Sequence, residues 1–481
     1  MTKPNFIFFD TETSGGRGLA DILTIDGLFC DHNLNLLESF SSKARLRKSR
    51  VYEIDSFLVN GLDPFEMDTS KNSNFDLTKE ANDKFRSWVN KGPVFFCAHN
   101  GYGFDYMLTS QHLFSNLFTW PWIFSTGNAR QIDSLPIVQN FDFYAPNKIA
   151  TELNEKSNKV FKLGSLCKAN GFEIKELHSS RGDTEGMMNL MSFLKKKDPT
   201  LFKQSLSFTN KNDVLNKIKE TDYFCHPETF YGRTRQFTSS YLCEHPVYKG
   251  YHLVFDLKHD PEEMFDEQSN EILKKKLNGA PKKYRTLKIG KNPFIQDKSF
   301  ATNFNDEYKT LGHEILQARA NYIFKNRDEL ANRLCLIIND QFQDQDMDQT
   351  ELIPEQMIFS LKPSQSEKSL MDNYVLADTL DEQRKIHDQF KNPALKHLSE
   401  MILLDRFDDK AFSSSEYKRI RKGISRRLLS TNKEVFPTIP DGMARIDLLR
   451  EEKKDDSQTL AKVERINKHI EGLAKDHEKY L

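Results

Sequence analysis

Short, wholly apolar runs alternate with amphipathic stretches through the N-terminal part of the chain. Phe6-Ile7-Phe8-Phe9 contains no polar position, as in a strand buried on both faces, and it delivers Asp10 at its end. Helix-period residues from Asn82 to Asn90 lead into a second such run, Val94-Phe95-Phe96-Cys97-Ala98. Asp105 then opens a predicted helix through Tyr106 to Phe114, and Leu163 to Asn170 reads as a short helix stopped by Gly171. A further helix is predicted from Asp183 to Lys195, with Met187, Met188, Leu190, Met191 and Leu194 as its apolar positions. This alternation predicts an α/β domain ending near residue 200.

The pattern then changes. Tyr223 to Asp256 is rich in aromatic and β-branched residues, with turn signals at His245-Pro246 and Lys249-Gly250, and Arg285 to Ile295 adds a strand-like stretch. A small, mainly β module is expected here, holding a helix near Glu271 to Leu277, with the polar stretch Asp340 to Gln349 as a solvated loop. Beyond Pro363 the chain is charged and helical. Leu380 to Phe390, Pro393 to Arg406, Ser415 to Leu429 and Ser457 to Tyr480 all carry apolar residues at helical spacing.

Length and composition sharpen this outline. At 481 residues the chain exceeds what one hydrophobic core supports, so two or three domains are expected. No apolar run approaches the roughly 18 to 20 residues that span a bilayer, and no signal-peptide core precedes Asp10, so a cytoplasmic protein without a membrane partner is expected. The 6 cysteines form no C-x-x-C pair, which argues for reduced core thiols over a zinc site or a disulfide framework. With 69 basic against 70 acidic residues the net charge is −1, so any nucleic-acid partner must be read from local clusters.

The chemistry lies in segments far apart in the chain. Asp10-Thr11-Glu12 ends a strand, and residues two apart on a strand project to one face, so both carboxylates share a side. His99-Asn100-Gly101-Tyr102-Gly103-Phe104-Asp105 follows another strand, Arg130-Gln131-Ile132-Asp133 lies beyond it, and His178-Ser179-Ser180-Arg181-Gly182-Asp183 leads into a helix. Close carboxylates repel unless a cation compensates them, and Mg²⁺ prefers oxygen ligands. Were Asp105 and Asp183 brought to Asp10 and Glu12, they could hold a pair of ions about 4 Å apart, as in two-metal phosphodiester cleavage. His178, on a loop before the helix, is a candidate general base, since an unperturbed imidazole titrates at about 6.5. Each piece alone is ordinary: Asp-Thr-Glu as a loop, Asp105 as a helix start, His178 as a surface histidine, Asp183 as a cap. Their joint occurrence points to a metal site.

Phe9-Asp10-Thr11-Glu12-Thr13, Asn100 with Phe104-Asp105, and His178 with Asp183 resemble the three motifs of the DEDDh branch of 3′-to-5′ exonucleases. Leu163 to Gly171, Asp198 to Phe202, Phe208 to Lys211, Phe230 to Arg235 and Lys288 to Phe294 are similar to the bacterial exonuclease I family. The resemblance covers the chain firmly to about residue 300 and in pattern beyond; the glycine-rich connection after Glu12 and the segment after residue 340 depart from it. It implies an α/β RNase H-like exonuclease domain over residues 1–203, an SH3-like domain over 204–358 and a helical domain over 359–481. It also implies 3′-to-5′ hydrolysis of single-stranded DNA to deoxynucleoside 5′-monophosphates in DNA repair and recombination. Asp10, Glu12, Asp105 and Asp183 would hold two Mg²⁺ ions, with Mn²⁺ able to substitute, and His178 would act as base. Thr11, Asn100, Phe104, Arg130, Arg233 and Arg235 would contact the strand. The implied partners are single-stranded DNA and the single-stranded-DNA-binding protein, and a monomer is expected.

Independently of the resemblance, Phe230-Tyr231-Gly232-Arg233-Thr234-Arg235-Gln236-Phe237 interleaves aromatics with arginines, which suits stacked bases and phosphates, although a β-edge with solvated arginines has the same look. Lys274 to Lys276, Lys282, Lys283, Lys288 and Lys291 add charge nearby. Lys418 to Arg427 is the densest basic run and reads as a groove lining or a solvated helix face. The alternatives are an exoribonuclease or proofreading exonuclease of the same branch, whose site would read the 2′-hydroxyl, and a non-catalytic nucleic-acid-binding subunit.

Overall fold

The structure is a computed structural model and describes residues 3–16, 18–172, 174, 179–343 and 352–481. Strands β1 (Asn5–Thr13), β2 (Ile22–Cys30) and β3 (Leu36–Lys43) form an antiparallel meander, followed by helices α1 (Ile54–Asn60), α2 (Pro64–Asp68) and α3 (Asn74–Val89). Strand β4 (Val94–Ala98) inserts parallel to β1 and leads into α4 (Asp105–Ser115). With β5 (Ala129–Asp133) the sheet has the order β3-β2-β1-β4-β5.

Helices α5 (Ser134–Tyr144), α6 (Leu163–Ala169), α7 (Ser180–Lys197), α8 (Pro199–Ser205) and α9 (Lys211–Glu220) come next, with the short strands β6 (Glu152–Leu153) and β7 (Lys159–Val160) between α5 and α6. A second sheet of order β11-β10-β9-β8 consists of β8 (Phe224–Phe230), β9 (Arg233–Glu244), β10 (Tyr251–Asp256) and β11 (Tyr284–Lys288). Helices α10 (Pro261–Phe265) and α11 (Asn270–Asn278) lie between its last two strands in sequence, and α12 (Asp306–Gln343) follows. The chain ends in α13 (Gln365–Leu376), α14 (Leu380–His387), α15 (Pro393–Phe407), α16 (Ser414–Leu428), α17 (Ile439–Glu452) and α18 (Ser457–Glu478). The described residues thus confirm an α/β core sheet and a helical C-terminal region.

The chain divides into two compact units, one of residues 1–129, 174–188 and 351–481, the other of residues 130–173 and 189–350. In the first, α3 lays Phe85 and Trp88 against the sheet, where Trp88 stacks on Phe29 at 5.5 Å and Phe9 stacks on Phe124 at 5.0 Å. Burying each such ring contributes about 1.5 to 3 kcal/mol, enough to hold β1 rigidly beneath the carboxylates at its end. Gly27 permits the close approach, since a Cβ there would meet Phe85 at 2.9 Å. Helix α3 starts where it does because Ser73 and Asp76 cap each other's backbone. The C-terminal helices cover the α/β layer through Ile420, Ile446 and Ile470, which cluster with Leu23, Tyr52 and Phe57.

In the second unit α12 packs Leu316, Ile323 and Leu334 against Leu242, Leu253 and Phe255 of the sheet, and Tyr308 donates to Asp256 at 2.6 Å. Gly312 (φ 73°) breaks the regularity of α12. The β8–β9 hairpin turns on Tyr231 (φ 50°) and Gly232 (φ 72°), a two-residue loop with both φ positive. Of the stretch expected to be a solvated loop, residues 340–343 are the end of α12, and 344–349 lie outside the described residues.

All 6 cysteines are free thiols. Among the described residues no helix is long and apolar enough to cross a membrane.

Candidate active site

Strand β1 carries Asp10 and Glu12 on one face at its C-terminal end, as the two-residue spacing predicts. Asp105 is the first residue of α4. The link from β4 to α4 needs tight turning: Asn100 adopts φ 62°, which asparagine tolerates, and a Cβ on Gly101 would meet Ala98 Cβ at 2.5 Å. Asp183 sits in the first turn of α7, where the helix dipole favours a carboxylate.

These distant residues converge. Carboxylate oxygens of Asp10, Glu12 and Asp183, all half-buried, lie within 4.8 Å of one another. Asp105 is 5% exposed and accepts a hydrogen bond from Thr11 Oγ1 at 2.8 Å. Burial raises the pKa of Asp10 well above the usual carboxylate range, and the charges of Asp105, Glu12, Asp183 and Asp26 raise it further. Glu12 is pushed up to about 8, first by burial and then by Asp183, Asp105 and Asp26. Carboxylates crowded this way are unfavourable as bare anions, and a divalent cation relieves both burial and repulsion. Among the described residues the donors are carboxylate oxygens, which fits a hard cation.

The other predicted site residues fall as follows. Thr11 is buried, and its hydroxyl is occupied by Asp105. Asn100 lies in the turn before α4, and Phe104 precedes the helix, packed partly against the core. Arg130 is on β5, while Arg233 and Arg235 are exposed on β9, all in the second unit. His178 lies outside the described residues.

Within the second unit, Arg233, Arg235, Tyr231 and Phe230 line a cavity of about 430 Å³ together with Arg285 and Lys282. The Arg285 guanidinium stands 3.9 Å from the Phe237 ring centre and 3.7 Å from Glu228. Sequence reasoning placed Arg285 only in a strand; its partner ring is 48 positions away in the chain (285 − 237). The run from Lys418 to Arg427 is not a uniform basic face: Arg421 is 1% exposed and paired with Asp476 at 2.5 Å, and Arg427 donates to the Ser49 carbonyl at 2.6 Å. Asp26 was also missed. The only signal for it is an acid inside the otherwise apolar stretch Ile25-Asp26-Gly27-Leu28-Phe29.

No protein-family model matches this chain. Exodeoxyribonuclease I of Buchnera aphidicola (subsp. Schizaphis graminum) is 25% identical over 248 residues, covering 50% of this chain and 49% of the relative. The chain thus spans about half the length of the curated relatives it matches. Exonuclease I from Methylocaldum szegediense superposes with a TM-score of 0.81 at 16% identity, covering 98% of this chain and 100% of that one. E. coli exonuclease I in complex with a dA16 oligonucleotide gives 0.80 at 15% identity, with coverage of 98% and 100%. The chain is therefore similar to exonuclease I in sequence over about half its length, and over 98% of its length it has that protein's fold.

Proposed function

We propose that this protein is a Mg²⁺-dependent exonuclease that hydrolyses single-stranded DNA from the 3′ end and releases deoxynucleoside 5′-monophosphates. The observation that carries this reading is the meeting of Asp10, Glu12 and Asp183 within 4.8 Å, with the Asp105 charge acting on the same groups. Similarity to exodeoxyribonuclease I, and a fold shared with an exonuclease I bound to an oligonucleotide, support the substrate.

In this reading Asp10, Glu12, Asp105 and Asp183 hold two Mg²⁺ ions, with Mn²⁺ able to substitute. One structural neighbour is a zinc-bound form of an E. coli ExoI–ssDNA complex, but the carboxylate donors found among the described residues favour a harder ion. When bound, the ions supply positive charge that offsets the negative charge growing on the phosphate oxygens. His178 takes the proton of the attacking water as its oxygen bonds to phosphorus and the bond to O3′ breaks. Arg233 and Arg235 pair with phosphates while Tyr231 and Phe230 offer faces to bases. Thr11, Asn100, Phe104 and Arg130 complete the proposed contacts to the strand.

The same reading divides the chain into an exonuclease domain (1–203), an SH3-like domain (204–358) and a helical domain (359–481). It makes the protein a cytoplasmic monomer acting in DNA repair and recombination. An ExoI/SSB-Ct complex is among the structural neighbours, and the single-stranded-DNA-binding protein is the proposed partner here.

The test is to incubate 3′- and 5′-labelled single strands of DNA and RNA with the protein, in Mg²⁺ or in chelator. Stepwise shortening of DNA from the 3′ end, abolished by chelator, is expected. Shortening from the 5′ end, activity in chelator, or RNA cleaved as fast as DNA would overturn the reading.

A further inference from the structure

Two strands meet at the carboxylate cluster, and the second is not a bystander. In the antiparallel register of β1 and β2, Asp26 lies opposite Asp10 and Thr24 lies opposite Glu12. Thr24 and Asp26 are themselves two apart and share a face of β2. Both reach Ser180, the first residue of α7: Ser180 Oγ donates to Asp26 Oδ2 at 2.5 Å and lies 2.8 Å from Thr24 Oγ1. A hydroxyl has one proton to give, so with that proton on the Asp26 carboxylate the Thr24 hydroxyl donates to Ser180. Ser180 and Asp26 are each 3% exposed, so water does not compete for the bond between them, while Thr24 is half-buried. Three residues further along α7, within the same turn, is Asp183.

We propose that Thr24, Asp26 and Ser180 form a buried clamp that positions Asp183. By tying the first turn of α7 to the residues directly across the sheet from Asp10 and Glu12, the clamp sets the spacing among the three carboxylates. Cys30, further along β2, lies 3.5 Å from Met188 of α7, so helix and strand stay in contact beyond the clamp. Loss of the clamp therefore loosens the start of α7 without unseating the helix. These are positioning residues, and the proposal rests on the metal-dependent reading of the site given above.

The test uses uncharged substitutions, because removing Asp26 would also remove a charge that acts on Asp10 and Glu12. Mn²⁺ binding, followed by electron paramagnetic resonance, is measured for the unaltered protein and for Ser180→Ala, Thr24→Val, Ser180→Thr and Asp10→Asn. Binding of a labelled oligonucleotide in chelator is measured alongside. Ser180→Ala and Thr24→Val are expected to weaken Mn²⁺ binding about 10- to 100-fold, the usual effect of removing a group that orients a metal ligand. Ser180→Thr keeps the hydroxyl and restores binding, and oligonucleotide affinity in chelator is unchanged in the Ser180 and Thr24 variants. Mn²⁺ affinity equal to that of the unaltered protein in both Ser180→Ala and Thr24→Val, with Asp10→Asn still defective, overturns the clamp alone. Equal binding by Asp10→Asn and the unaltered protein overturns the metal reading and the clamp with it. If Ser180→Ala does not fold, Thr24→Val decides.

Discussion

Thr11 holds Asp105: its Oγ1 donates to Asp105 Oδ1 across 2.8 Å in the interior of the first unit. Asp105 comes from the start of α4, 94 residues along the chain, and this bond joins that helix to the strand bearing Asp10 and Glu12. Thr11→Val keeps the shape and removes the donor. Stability should fall by about 1 to 3 kcal/mol, the range for a buried bond to a charged group. Nuclease activity should fall about 10- to 100-fold, as for lost orientation of a metal ligand. Denaturant melts and single-turnover assays measure the two effects, and an unchanged rate would show that Asp105 needs no such anchor.

Because burial, and then mutual repulsion, raises the pKa values of Asp10 and Glu12, the metal-free site opposes folding near neutral pH. Asp10→Asn removes one of these charges. In chelator this variant should melt at a higher temperature than the unaltered protein, while in Mg²⁺ the order should reverse. A ligand at 100 times its dissociation constant stabilises by about 2.7 kcal/mol, and only the unaltered protein gains it. Equal melting shifts on adding Mg²⁺ to both would contradict the site.

Buried histidines act in the opposite sense to these carboxylates and should lower stability in mild acid. Burial lowers the pKa of His226 to about 3 and of His112 and His477 to about 4, so the folded state keeps them neutral. In the unfolded chain they titrate near 6.5. Their contribution is complete above pH 6.5 and is lost as pH falls toward 4, because the unfolded state then binds more protons. Each fully titrating group steepens the loss by about 1.4 kcal/mol per pH unit. Melts at pH 7.5 and 5 measure the slope, and His226→Gln, which can still bond Ser239 at the 3.0 Å contact, should flatten it. An unaltered slope would mean that His226 is protonated in the folded protein.

The arginine and aromatic cavity of the second unit yields a binding prediction. Tyr231 is 90% exposed at a turn whose backbone is set by Gly232, where a Cβ would meet the Lys159 carbonyl oxygen at 2.3 Å. An aromatic held out by a fixed turn is available for stacking. Tyr231→Ala should weaken single-strand binding by about 1 to 3 kcal/mol. Arg233→Ala should instead reduce the slope of log affinity against log salt by about 1. Fluorescence anisotropy at several salt concentrations separates the two, and no change in either variant would remove this surface from the strand's path.

Local pattern was sufficient for the elements that carry the carboxylates. Val94–Ala98 is a strand in the structure with the bounds of its apolar run, α4 opens at Asp105, and α7 begins three residues ahead of Asp183 yet keeps it in the first turn. Such runs declare themselves because both faces of a central strand are buried, leaving no polar position to blur the period. Strand β3, Leu36–Lys43, mixes exposed leucines with polar residues at the sheet edge, and α12 is interrupted at Gly312, so neither carries a clean period. That Asp10, Glu12, Asp105 and Asp183 are candidates for one site was legible from their order along the chain. That Asp26 and Thr24 face Asp10 and Glu12 and grip Ser180 depends on strand register and on where α7 crosses the sheet. Those are long-range packing choices, and no local stretch of residues encodes them.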